Sequence, residues 1–295
     1  MPTPLAAHRR LAAGLCTIIA CLAVQTQGAP RPKPPPKPPE PQFPVPADVN
    51  DLSMRVSALE TIYEFDLSDT QLRALRTLAL GAAQKDARTP AKANPKLVQA
   101  LKDLHTALLK ADDDDKIGDL KDTVDELKDD DEVDLDDDID VTDPARAKTP
   151  ELLKHLKASQ IAAYLAVHAE EVADPDEQMI DSLNDLRSGE SDDPDGDAQD
   201  SADDIAHLVA GLDAAKAEEV SAKVLEWFKA NRDLKDEQFE AKKAALEESA
   251  KKIVGEIPAM TVLSHWLDYE AATLLSNPQL IGAIDVTLAA RAQRK

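Results

Sequence analysis

The sequence predicts an all-α protein, a bundle of roughly nine to eleven amphipathic helices behind an export signal and a proline-rich linker. Three observations lead there. From Ala47 onward apolar residues recur at spacings of three and four. Runs of β-branched or aromatic residues are few, and no Asn-Gly or Asp-Gly turn separates alternating segments, so strands lack their usual signals. Helix-start residues recur ahead of the apolar stripes.

The elements follow in order. Leu52, Val56, Leu59, Ile62 and Tyr63 form the first stripe. Ser68 with Gln71 three residues on reads as a capping box, in which side chain and backbone satisfy each other at a helix start. Leu72, Leu75, Leu78 and Ala79 continue that helix. Asn94-Pro95 opens the next, whose stripe is Leu97, Leu101, Leu104 and Leu108. Ile117, Leu120, Val124 and Leu127 predict an acidic amphipathic helix over 115–128. Asp143-Pro144 and Asp174-Pro175 each read as an N-cap with proline in the first turn. One or two helices fit between them, carried by Leu152, Leu153, Leu156, Ile161, Tyr164, Leu165 and Val172. Val220, Val224, Leu225 and Phe228 mark another stripe. Phe239, Leu246, Ile253 and Ile257 mark the next, which Pro258 ends. Asn277-Pro278 breaks the final stretch, Val262 to Leu288. Aromatic residues make up 3% of the chain, so the core must consist mainly of leucine, isoleucine, valine and alanine.

The first 29 residues read as a signal peptide. Arg9 and Arg10 give a positive start, and Leu11 to Ala23 is nearly free of polar residues. That run is shorter than the ~20 residues needed to span a bilayer core. Two processing points compete. Small residues precede Pro30, while Ile18-Ile19-Ala20-Cys21 resembles a bacterial lipobox, in which Cys21 would be lipidated and anchor the chain. Arg9-Arg10 lacks the flanking residues of a twin-arginine signal. Cys16 and Cys21 are the only cysteines, so the mature chain has no disulfide and no thiolate metal site. Residues 30–46, PRPKPPPKPPEPQFPVP, favour extended polyproline II and read as a semi-rigid spacer. Residues 47–295 form the helical domain, with a candidate sub-boundary near the acidic stretch 186–204.

The chain carries a formal charge of −23, and the charge is localised. Residues 112–143 hold 18 acidic residues against three lysines, and residues 190–204 hold eight acidic residues and no base. Two acidic blocks disfavour nucleic acid, whose phosphates need basic patches. They favour cations or a protein partner with a basic surface.

Calcium is the sharpest chemical expectation, because carboxylates at alternate positions can supply hard oxygen ligands. The candidates are Asp134, Asp136, Asp138 and Asp140 in the first block and Asp193 and Asp195 in the second. Asp193, Asp195 and Gly196 match three positions of an EF-hand loop. Ala202 stands where the bidentate carboxylate belongs, so a genuine EF-hand is rejected. The segment 190–204 reads more simply as a solvated acidic loop. Asp204 and His207 fall on one helical face, but no second Glu-x-x-His copy completes a di-iron bundle. His168-Ala-Glu170 imitates part of a deaminase signature without its cysteines. His105, His155 and His265 read as surface or satisfied histidines. The Trp227-Phe228 and Trp266/Tyr269 clusters read as core. No nucleophile elbow, phosphate loop or catalytic cysteine is present, so no catalytic residue is assigned.

Leu59-Glu60-Thr61-Ile62-Tyr63, followed by Leu67-Ser68-Asp69-Thr70-Gln71-Leu72, resembles uncharacterised secreted helical proteins of planctomycete-type bacteria. It is also similar to the Leu-Thr-x-x-Gln motif of the periplasmic Spy and CpxP proteins, with Ser68 in place of threonine. Leu156-Lys157-Ala158-Ser159-Gln160 is a degenerate echo. The resemblance implies an envelope setting and carries over no binding residue; physically, the motif reads as a helix cap. The expected function is that of an exported, non-enzymatic helical binding or scaffold protein. A divalent-cation-responsive protein and an enzyme with an unrecognised carboxylate site are the alternatives.

Overall fold

A computed structural model describes residues 43–84, 94–111, 113–128, 135, 139–169, 172, 174–188 and 193–294. Those residues are helical with no strand. The helices are α1 (Val49–Glu64), α2 (Asp69–Ala79), α3 (Pro95–Lys110), α4 (Asp114–Lys128), α5 (Asp143–His155) and α6 (Ala158–His168). They continue as α7 (Pro175–Ser188), α8 (Pro194–Ala210), α9 (Ala214–Asn231), α10 (Asp236–Val254), α11 (Ala259–Ser276) and α12 (Leu280–Arg294). The expected signal segment with Cys21 and the proline-rich residues up to Gln42 lie outside the described residues.

Local signals set most helix starts. Asp48 accepts from the backbone N–H of Asn50 at 3.0 Å and begins α1. Ser68 and Gln71 form the complete capping box at α2. Asn94 Oδ1 accepts from Leu97 N–H at 2.9 Å, with Pro95 in the first turn of α3. At α5 the cap is Thr142, one residue before the expected Asp143. The Thr142 hydroxyl accepts from Ala145 N–H at 3.2 Å and donates to the Ala82 carbonyl at 2.6 Å. It therefore fixes the helix start to the loop after α2, which Asp143 does not do.

The reading of 190–204 as a solvated loop is corrected. Asp193 is an N-cap that accepts from Gly196 N–H at 3.1 Å, and α8 begins at Pro194. This is the same Asp-Pro start signal as at Pro175. Dense negative charge masked it, yet carboxylates suit the positive end of a helix dipole. Ala198 and Ala202 then bury the inner face of α8.

Phe43–Lys295 forms one compact unit with two apolar clusters. The first is built from α1 to α6 together with α11 and α12. The second is built from α7 to α10. The chain thus leaves the first cluster after α6 and returns to it at α11. Helix α11 packs on both α5 and α8 and so joins the two. The described residues of 186–204 are the end of α7 and, from its cap, the first part of α8, both helices of the second cluster. Both cores are dominated by leucine, isoleucine, valine and alanine, with Phe65 and Phe228 fully buried. Trp227 and Phe228 lie in the second core, as their spacing suggested. No helix among the described residues is long and apolar enough to cross a membrane.

Candidate functional site

A half-open cleft of ≈ 650 Å³ lies between α1, α3, α4, α6 and the end of α12. Its size falls within the ~300–1,000 Å³ typical of ligand sites. The floor is apolar: Leu59, Ile62, Leu108, Leu109, Ile117 and Tyr164 line it. These are inner-face positions of helices that bury their stripes elsewhere in the first core.

Charge gathers at one lip. Glu60 and Glu64 stand one turn apart on α1, so their side chains are neighbours. Lys121 reaches across from α4, with its Nζ 2.9 Å from Glu64 Oε1 and 3.9 Å from Glu60 Oε1. His168 from α6 places Nε2 3.4 Å from the other oxygen of Glu64. Glu64 is therefore engaged on both sides, while Glu60 has only a long ion pair. Burial pushes the Glu60 carboxyl up to about 7, against the pull of Lys121 and with the push of Glu64 and Asp125. Burial also acts against the Lys121 ammonium, but Glu60 and Glu64 outweigh it and hold its pKa above the ordinary range. Nearby, the Tyr63 hydroxyl donates to Asp114. That hydrogen bond, with some burial, pushes the phenol up to about 12.

An aromatic column backs the cleft. Tyr164 stacks on Phe65 at 4.0 Å on one side and on Trp266 at 5.4 Å on the other. His168 tilts against both Tyr164 and Trp266, at 4.6 and 4.9 Å. Beyond Trp266 lies a smaller pocket of ≈ 280 Å³, lined by Gln178, Asp204, His207, Tyr269 and Glu270 among others. Asp204 and His207 do share one face of α8 and both reach this pocket. The His207 ring stacks on Tyr269 at 4.0 Å. Burial pushes Glu270 up to about 7; His168 opposes this, and Glu64 and Asp204 add to it. Trp266, read as core from its spacing, packs against the first cluster, and with Tyr269 it also borders this pocket. The α11 face that carries them meets the joint between the two clusters.

Of the expected calcium ligands, those that are described have separate partners. Asp134, Asp136 and Asp138 lie outside the described residues. Asp140 Oδ2 accepts from Gln84 Nε2 at 3.1 Å. Asp193 caps α8, and Asp195 forms an ion pair with Arg232 at 2.5 Å. Among the described residues no group of three or more histidine, cysteine or acidic side chains converges as a metal site would require. Glu170 of the deaminase-like triplet also lies outside the described residues. His155 is exposed, and His265 Nδ1 lies 2.9 Å from the Leu208 carbonyl. His105 is completely buried, and neither ring nitrogen has a hydrogen-bond partner.

Sequence reasoning passed over Glu60, Glu64 and Lys121. A usable signal existed. Two glutamates one turn apart interrupt the flank of the first apolar stripe, and Lys121 is a base in the middle of an acidic helix. What the sequence did not reveal is that α4 packs back onto α3, from where Lys121 reaches the α1 glutamates. No family model matches the chain, and neither a curated protein nor a solved structure matches it. The class supported at this point is that of an all-helical protein with a cleft of apolar floor and mixed-charge lip.

Proposed function

We propose that this is an exported, non-enzymatic helical binding protein of the bacterial cell envelope. Its cleft receives an apolar segment of a protein partner that also carries basic side chains. The basic, apolar N-terminal segment supports export, and the proline-rich stretch supports a spacer between the body and a wall or lipid anchor. The observation that carries the binding role is the cleft itself. Buried apolar side chains line a ≈ 650 Å³ concavity whose lip holds two glutamates against one lysine. Apolar area supplies affinity, and the paired glutamates at this lip favour a basic group there, while Arg291 and Arg294 line the far end of the cleft and bond the Leu67 and Lys110 carbonyls.

The test is a titration with a synthetic leucine–lysine peptide, read by tryptophan fluorescence. The chain has two tryptophans, so Trp227→Phe leaves Trp266, stacked on the cleft residue Tyr164, as the reporter. Saturable binding that Glu64→Gln weakens supports the proposal; a signal that does not saturate rejects it. Intact-mass measurement of the processed protein separates cleavage near Ala29 from lipidation at Cys21.

One observation favours a second reading, acid–base catalysis. A carboxyl held near neutrality in a cleft, as at Glu60, is a recognised mark of functional sites. Turnover in a broad hydrolase and transferase screen, abolished by Glu60→Gln, would establish it.

A further inference from the structure

We infer that Lys121 is a built-in stand-in for the partner's cation. The ammonium of a bound lysine takes its place between Glu60 and Glu64, and Lys121 swings away to Asp125. The inference rests on the cleft being the binding site proposed above.

The lip is asymmetric in a way that structural pairing alone does not require. One ammonium faces two carboxylates. It sits at hydrogen-bonding distance from Glu64, at 2.9 Å, and beyond it from Glu60, at 3.9 Å. A cation centred between the two would satisfy both, but Lys121 approaches from α4 and meets Glu64 first. A ligand entering along the apolar floor is not bound by that geometry.

Lys121 can also leave at low cost. Its side chain is 36% exposed, while the two glutamates are each 23% exposed. Solvent therefore reaches the ammonium end of the pair, and solvent screening lowers the cost of releasing it. Asp125 lies one turn further along α4, is exposed, and already acts electrostatically on Lys121. It offers a second partner at helical i,i+4 spacing. Helix α4 itself need not move, because Ile117 and Val124 bury its inner face independently of Lys121.

The charged and titratable groups around this cleft are Glu60, Glu64 and Asp66 at α1 and its end, Asp114, Lys121, Asp125 and Lys128 from α4, His168 from α6, Glu270 from α11, and Arg291 and Arg294 from α12. Raising the pH toward 8 ionises Glu60 more fully and strengthens the site for a cation, as long as the ligand's lysines stay charged. The occupant is thus a segment in which a lysine is flanked by apolar residues, and its acetylated form should not compete.

The experiment compares peptide affinity across variants in the Trp227→Phe background, with helicity checked for each. Lys121→Met removes the resident cation and should tighten binding of the leucine–lysine peptide severalfold. Asp125→Asn removes the place to which Lys121 retreats and should weaken binding severalfold without touching the cleft floor. The lysine-acetylated peptide should bind neither the parent nor Lys121→Met with comparable strength. If the parent binds no peptide, the binding proposal itself fails. If the parent binds but Lys121→Met binds equally or more weakly, the stand-in role is overturned. Should Lys121→Met lose helicity, the Asp125→Asn result decides, and unchanged affinity there overturns the inference.

Discussion

Gln71 Nε2 donates to Gln160 Oε1 at 2.8 Å, joining two helix corners that lie 89 residues apart in sequence. Each glutamine first caps its own helix. Gln71 Oε1 accepts from Ser68 N–H, and Gln160 Oε1 accepts from Lys157 N–H, both at 2.9 Å. Each then reaches across to the residue before the other motif's leucine. Gln71 donates to the His155 carbonyl at 2.7 Å, and Gln160 donates to the Asp66 carbonyl at 2.9 Å and to Phe65 at 2.7 Å. The two corners clasp each other with near two-fold reciprocity.

Substituting either glutamine by alanine removes a cap and frees carbonyls at a helix end. Each change should cost about 0.5–2 kcal/mol, and the pair should couple by ~0.5 kcal/mol or more. A double-mutant cycle in urea measures this. Additive losses would show that the two caps act independently.

A third corner shares the pattern. Leu234-Lys235-Asp236-Glu237-Gln238 starts α10, and Gln238 Oε1 accepts from Lys235 N–H at 3.1 Å. Lysine has no acceptor, so at Lys157 and Lys235 only this half of the capping box exists. Arg187 donates to the Leu234 carbonyl and to Asp236, both at 2.8 Å. Arg291 donates to the Leu67 carbonyl at 2.6 Å and to Asp69 at 3.3 Å in the same relative positions. Gln238→Ala combined with Gln71→Ala should therefore be additive, which serves as the control for the cycle above.

His105 makes acid stability predictable. Burial, with a smaller push from Arg55, lowers its pKa from 6.5 to about 4. The folded protein keeps the ring neutral, while the unfolded chain takes up a proton first as pH falls. The stabilisation is thus fully present above pH 6.5 and is lost as pH falls to about 4. It should amount to roughly 3 kcal/mol. Glu60 and Glu270 act with opposite sign, because their raised values favour the folded state below the ordinary carboxyl range and lose that contribution as pH rises through about 7. The measurement is therefore differential: urea midpoints of wild type and His105→Leu from pH 4 to 8. The gap should narrow in favour of the variant as pH falls, and a constant gap would contradict it.

Gly211 carries a φ of +58°, and a Cβ there would lie 2.8 Å from His265 Cδ2. Gly211→Ala forces both a left-handed alanine and a shift of a ring held at Leu208. A loss of about 1–3 kcal/mol is expected, read as a Tm drop of several degrees.

Calcium can be tested by melts in EDTA and in millimolar Ca²⁺ at matched ionic strength. Asp193 serves as a cap and Asp195 is paired with Arg232, so the second block should contribute no calcium-dependent rise. Asp193→Ala should cost about 1 kcal/mol in either buffer. A calcium-induced rise that Asp193→Ala abolishes would assign the ion to the second acidic block.

The fold was legible because helical spacing is a local property. The Ser68–Gln71 box, the Asn94-Pro95 start and the Asn277-Pro278 break all appear where short-range chemistry puts them. The acidic helix α4 was legible too, since Ile117 and Val124 keep their spacing through the charge. The start of α8 was not, because composition outweighed the Asp193-Pro194 signal. The cleft was the least legible feature. Glu60, Glu64, Lys121 and His168 come from three helices, and no spacing rule brings Lys121 and His168 to the α1 glutamates. The third corner at Leu234 was within reach, since it repeats the leucine-to-glutamine interval of Leu67 and Leu156.

The most direct test of the central claim is amide hydrogen exchange of the full chain with and without the leucine–lysine peptide. Occupancy of the cleft should slow exchange along 59–66, 114–121 and 164–168 and leave α9 and α10 unchanged. Protection confined to α7–α10, or none at saturating peptide, would contradict it.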